Sequence, residues 1–189
     1  MIRKHTSRKL FLKIEYISLE LEEVTDLASE YKKNFDKEFH KETQYLNYIQ
    51  NEQKIVLSPS IDTEKHHPKF VQKIYRNIAK KYHPDVCAAD NAEDVFKKAT
   101  EFYETNNLVG LISVCNKEKI KIPDLTDEMV REIENSIVDT EEKIKEQQST
   151  LAWIWYNFDG DKSELRDKIY ELLKIDKEKF EEWKNQYTK

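Results

Sequence analysis

From Lys9 to Lys54 the chain contains neither glycine nor proline. Within that stretch Ile14, Ile17, Leu21, Val24, Ala28, Tyr31 and Phe35 alternate steps of three and four. This spacing places them in one seam of a helix about three heptads long. From Phe35 the seam shifts by an extra step of four to Phe39, passes the charged Glu42 and resumes at Leu46 and Ile49. Such a shift unwinds a supercoil locally. A second seam runs through Val130, Ile133, Ile137, Thr140, Ile144, Gln147 and Leu151. Neither seam can stay in water, so the expectation is that the two long helices pair antiparallel as a coiled-coil-like stalk.

Composition supports an all-α chain. Charged residues make up 37% of the 189 residues and hydrophobic ones 38%, with 2 glycines and 4 prolines. That is little apolar material for a thick globular core, and few tight turns are available. The formal net charge of -5 argues against a dedicated nucleic-acid binder. Cys87 and Cys115 lack metal or disulfide spacing and read as reduced thiols. No segment has the ~20 apolar residues of a membrane span, and the basic start lacks an apolar signal core. A soluble, cytoplasmic protein is expected.

Breaks divide the chain into four expected regions. Residues 1–57 form the N-terminal long helix, and residues 58–122 a central module. Residues 123–157 form the second long helix, and residues 158–189 a C-terminal helical cap. Pro59 and Pro68 bound a turn-rich stretch, Leu57 to Pro68. Lys69 to Tyr82 reads as a helix, and Ala92 to Thr105 as another beyond a polar loop. Asn106-Asn107 interrupts before a short apolar helix, Leu108 to Val114. Thr126 or Asp127, Asp161 or Ser163, and Asp176 can cap the later helices. The run Trp153-Ile154-Trp155-Tyr156 is expected to be core.

The helix from Lys69 to Tyr82 carries Lys69, Lys73, Arg76, Lys80 and Lys81 and no acidic residue. Val71, Ile74, Tyr75, Ile78 and Tyr82 recur at helical spacing as its buried face, leaving the cations as an exposed positive stripe. Such a stripe steers association with an acidic partner. By itself it reads as an ordinary solvated face. His83-Pro84-Asp85 follows it: the proline stops the helix and holds His83 extended, so that an imidazole and a carboxylate project from a rigid kink.

The stretch from Val71 to Asp85 resembles helix II and the HPD loop of the J-domain family. Tyr75-Arg76, Ala79 and Lys80-Lys81-Tyr82 carry the resemblance. Phe96-Lys97-Lys98-Ala99 and Phe102-Tyr103-Glu104 resemble helix III. The resemblance covers about 40 residues. It implies a helical hairpin that binds a DnaK-type heat-shock chaperone and stimulates its ATP hydrolysis, without chemistry or a cofactor of its own. Carried over by position, His83, Pro84 and Asp85 form the tip. Tyr75, Arg76, Lys73, Lys80 and Lys81 give the helix II surface, and Lys97 a helix III contact.

Gln72 and Asn77 stand where the family often has basic residues, and Val86 where Lys or Arg is frequent. These departures imply a weaker or more selective interaction. The usual helix I is missing before Lys69, and Tyr45 to Ile55 is the candidate replacement. No Gly/Phe-rich linker or zinc repeats follow, so a specialised member with targeting extensions is expected. The alternative is a structural adaptor that keeps a J-like scaffold without ATPase stimulation. Client and oligomeric state stay open. His66-His67 with His83 makes a poor metal site, because adjacent histidines diverge and no third ligand has fixed spacing. Asp159-Gly160-Asp161 lacks the glycine position and glutamate spacing of a calcium loop.

Overall fold

A computed structural model describes residues 4–51, 67–87 and 89–187. Among these residues the structure is helical, without a strand. Its elements are α1 (Lys4–Glu38), α2 (His40–Asn51), α3 (Lys69–Tyr82), α4 (Ala92–Glu104), α5 (Leu108–Lys117), α6 (Asp127–Gln148), α7 (Leu151–Asn157), α8 (Lys162–Leu172) and α9 (Lys177–Tyr187). The chain forms two compact units, one of residues 1–23 with 62–144 and the other of 24–61 with 145–189. None of the described helices is long and apolar enough to cross a membrane.

In the first unit α3 packs against α4, and both pack against α5. Val71, Ile74, Ile78 and Tyr82 of α3 are buried, as the helical spacing predicts. Ala99 of α4 and Leu108, Val109, Leu111, Ile112 and Cys115 of α5 are buried with them. The α4–α5 corner turns on Asn106, whose φ of 54° lies in the left-handed region that asparagine tolerates. The Asn107 side chain then caps α5 by accepting the Gly110 N–H at 2.8 Å. Gly110 is needed for a second reason: a Cβ there would lie 2.7 Å from the Phe102 ring. Leu10, Ile14 and Ile17 supply the buried side of α1 in this unit, and Ile133 and Ile137 that of α6. Lys13 pairs with Glu141 at 2.9 Å, and Glu22 with Lys98 at 3.7 Å.

In the second unit the helix breaks at Phe39, between α1 and α2, where the seam shifts register. Phe39 N–H still donates to Phe35 O and Thr43 N–H to Phe39 O, so the axis is re-phased with little loss of backbone bonding. Phe39 is buried with Trp155, Leu165 and Ile169. Phe35 stacks on Phe39, and Trp155 meets both rings edge-on. Trp155 Nε1 donates to Glu38 Oε2 at 2.9 Å, which satisfies the buried indole. The aromatic run is thus core at Trp155, while Ile154 is exposed. Tyr45, Ile175 and Phe180 form a second cluster with Leu46, Ile49 and Trp183. Asp161 caps α8 and Asp176 caps α9.

Beyond the break that divides the expected second long helix at Ser149-Thr150, where the Thr150 side chain caps α7 by accepting the Trp153 N–H, two expectations need correction. The seams are buried within the chain, but their directions agree instead of opposing. In the second unit Thr25 meets Gln147, Tyr31 meets Trp153, and Glu38 meets Trp155, so contacts advance together along both strands of the pairing. This is a parallel arrangement. A three-four seam reads alike in both directions, so it carries no information about orientation; the connection between the helices sets that. The second correction concerns Tyr45 to Ile55 as a substitute for helix I. Tyr45, Leu46 and Ile49 pack on the C-terminal helices of the second unit. Residues 52–55 lie outside the described residues, as does most of the turn-rich stretch from Leu57.

Candidate functional site

The hairpin of α3 and α4 is antiparallel: His67 stacks on Tyr103, Tyr75 on Tyr103, and His83 meets Phe96. At its head His83 ends α3. Its N–H donates to Ala79 O at 2.9 Å, and its backbone turns extended (φ -62°, ψ 135°). Pro84 forces that geometry, since the pyrrolidine ring disfavours a helical residue before it. The His83 carbonyl then accepts from both Val86 N–H (2.9 Å) and Cys87 N–H (3.0 Å), which folds the loop tightly under the tip.

The His83 ring rests edge-on against Phe96 with centroids 5.1 Å apart, while 43% of the side chain stays exposed. Nδ1 accepts the Asp85 N–H at 3.2 Å and lies 3.5 Å from Asp85 Oδ2. A neutral ring with its proton on Nε2 fits the amide contact. A doubly protonated ring can only donate, and the carboxylate is then its partner. Pro84 is exposed, and the Asp85 side chain is 86% exposed.

Below the tip, Lys69, Lys73, Arg76 and Lys80 are all exposed. Their spacing of four, three and four puts them on one face of α3, leading up to His83. The other candidate residues separate from this line. Lys81 lies off the stripe; its Nζ donates to Glu118 O at 2.8 Å and sits 5.1 Å over the Tyr82 ring. Tyr75 is half-buried in the hairpin. Thr100 Oγ1 donates to Phe96 O, so Tyr75 O–H is the donor in the 3.1 Å contact with Thr100. Lys97 is exposed on α4.

The two departures from the family pattern have structural partners. The Gln72 amide donates to His67 O at 3.0 Å, and the Asn77 amide to Lys121 O at 3.4 Å. Lys73 and Asn77 edge an open cleft of about 320 Å³ with Lys121, Ile122, Pro123 and Asp124. His67 is taken up by its stack on Tyr103 and by Asn106 at 3.2 Å, while His66 lies outside the described residues. Among the described residues, no three His, Cys, Asp or Glu side chains are grouped to hold a metal.

Sequence reasoning missed two residues that position the site. Phe96 holds the His83 ring, and the antiparallel register of the hairpin could have identified it. Glu118 holds Tyr82 through its carboxylate and Lys81 through its carbonyl. It lies 36 residues from Tyr82, and no local pattern announces the pairing.

No protein-family model matches the chain, and no solved structure matches it. Short segments of curated proteins do. The chaperone protein DnaJ of Mycoplasma mobile is 54% identical over 37 residues, 20% of this chain and 10% of that protein. The curved DNA-binding protein of Coxiella burnetii is 53% identical over 34 residues, 18% of this chain and 11% of that protein. DnaJ of Halalkalibacterium halodurans is 54% identical over 35 residues, 18% of this chain and 10% of its own. The chain thus spans about a tenth of the length of these relatives, and over that tenth it is similar to DnaJ chaperone proteins.

Proposed function

We propose that this chain is a specialised J-domain co-chaperone. It binds a DnaK-type heat-shock chaperone through the His83-Pro84-Asp85 tip and the α3 stripe of Lys69, Lys73, Arg76 and Lys80. It stimulates ATP hydrolysis by that partner and performs no chemistry itself. The observation that carries the reading is the alignment of an exposed, internally braced His83 with four exposed cations on one helix face. Tyr75 and Lys81 support the surface from within: one fixes the hairpin, the other ties the end of α3 to Glu118. The remaining helices would direct the module to a client or a cellular site.

Single-turnover ATP hydrolysis by a DnaK-type chaperone tests this. The wild-type chain should accelerate hydrolysis, and His83→Gln should remove the acceleration while circular dichroism stays unchanged. Equal stimulation by the variant, or none by the wild type, sinks the reading and favours the adaptor, in which the hairpin is only a scaffold. The short similarity to a protein named for curved DNA does not by itself favour nucleic acid, because the chain as a whole is acidic.

A further inference from the structure

In the first unit α1 buries Leu10, Ile14 and Ile17, and its exposed side, besides charges such as Lys13, Glu15 and Glu22, carries a row of large apolar side chains. Leu12, Tyr16 and Leu19 are 56%, 66% and 61% exposed. Their steps of four and three stack them into a second apolar seam on the solvent side. Large side chains exposed in a contiguous row on a soluble chain mark an interaction surface.

The charges around this seam are polarised. Arg8 and Lys9 lie exposed at its N-terminal end, and Glu23 is exposed at its C-terminal end. Lys9 and Glu23 are equally far from Tyr16 along the helix and on the same side as the seam. A helix of this design complements itself when reversed. Laid antiparallel about a two-fold axis at Tyr16, Lys9 of one copy faces Glu23 of the other, twice over, and Leu12 lies near Leu19. A parallel pairing would set Lys9 against Lys9 and Glu23 against Glu23, which is repulsive.

We propose that the chain self-associates through this face as a symmetric antiparallel dimer of α1 helices. The occupant of the seam is a second copy of the same chain, in the closed, isologous contact that two-fold symmetry requires. Three apolar side chains per copy are far fewer than a standard interface of about 800 Å² per partner provides, so the dimer is weak, with Kd on the order of micromolar or above.

Sedimentation equilibrium of the full chain across the micromolar to millimolar range reads this directly. A reversible monomer–dimer equilibrium is expected, and Leu12→Asp with Leu19→Asp should abolish it. Lys9→Glu alone and Glu23→Lys alone should each weaken it about tenfold, and the two together should restore it, because the reversed charges again face each other. In a Cys87→Ser background, Tyr16→Cys treated with the thiol oxidant diamide, which takes up the two electrons and two protons, should form an interchain disulfide near the axis. All the substituted positions on α1 are exposed, and circular dichroism checks that the variants fold. A wild-type chain that is monomeric throughout overturns the proposal. So does a dimer indifferent to these substitutions, a failure of the double charge reversal to restore it, or a dimer without the Tyr16→Cys crosslink.

Discussion

The Tyr82 hydroxyl donates to Glu118 Oε2 at 2.5 Å, tying the last turn of α3 to the end of α5. Lys81 adds a second tie to the Glu118 carbonyl. The base of the tip is therefore fixed from two directions, and the His83 turn starts from a braced residue. The hydrogen bond to the carboxylate, helped by burial, pushes the Tyr82 pKa up from 10.0 to about 12. A raised tyrosine pKa stabilises the fold fully below the unfolded value and loses that contribution as pH climbs through the folded one. Tyr82→Phe should cost about 1 kcal/mol at neutral pH by urea denaturation. The gap between wild type and variant should close between pH 10 and 12. A gap that persists above pH 12 would show that the hydrogen bond is not its source.

Lys80 and Lys81 are neighbours in sequence with different surroundings: Lys80 lies on the exposed stripe, and Lys81 lies off it and donates to the Glu118 carbonyl. Arg76→Glu with Lys80→Glu should weaken chaperone binding by tenfold or more, by roughly 1.4 kcal/mol per decade. The wild-type affinity should itself fall as salt rises. Lys81→Ala should chiefly lower stability, by about 0.5–1 kcal/mol. Titration calorimetry at two ionic strengths separates the effects; identical binding losses for both variants would contradict the division.

The two thiols should differ sharply in reactivity. Cys115 is buried, and burial pushes its pKa up to about 12, so near pH 8 it is protonated and sealed. Cys87 is half-buried beside the tip, with its N–H on the His83 carbonyl. Iodoacetamide should label Cys87 first, as mass spectrometry of digested protein would read. Chaperone binding should slow that labelling if the tip docks. Prompt labelling of Cys115 in folded protein would refute the burial argument.

Glu42 is the charged residue inside the N-terminal seam, and it is buried to 5% exposure. Tyr170 O–H donates to its Oε1 at 2.7 Å, and burial first, then this bond, raises the tyrosine pKa. Tyr170→Phe leaves the carboxylate without that donor and should destabilise the chain by about 1–3 kcal/mol. Glu42→Gln, which can still accept from the hydroxyl, should cost less. Chemical denaturation of the two variants checks the order, and the reverse order would count against the pairing.

Gly110 leaves no room for a methyl group. Gly110→Ala would push against the Phe102 ring and should cost about 1–3 kcal/mol. Thermal denaturation reads it, and an unchanged midpoint would mean that Phe102 moves aside freely.

Much of the candidate site was legible because its cues are local. The basic, acid-free run from Lys69 to Lys81, the proline after His83 and the spacing of Val71, Ile74, Ile78 and Tyr82 act within a few residues. They predicted helix, stop and buried face, except that Tyr75, expected on that face, is half-buried. The seam through Ile14, Ile17 and Val24, and its register shift at Phe39, were equally legible, since helical periodicity is a property of the chain alone. Spacing could not show that Lys81, exposed like the other cations, reaches the Glu118 carbonyl. Lys81 differs from Lys80 only because the end of α5 comes to lie beside it. Nor could it show that Tyr75 faces Thr100 and Tyr103, or that Phe96 supports His83.

By itself, then, the order of residues determined the helical segments and the stop at His83, though not the break between α6 and α7 at Ser149-Thr150, because hydrogen bonding within a helix and proline sterics act over one or two turns. Only the tertiary structure decided that the long helices pair in parallel, that Glu118 braces Tyr82, and that Tyr45 joins the C-terminal helices. Those relationships depend on where distant segments are delivered, and a seam or a lone carboxylate carries no record of the partner that will cover it.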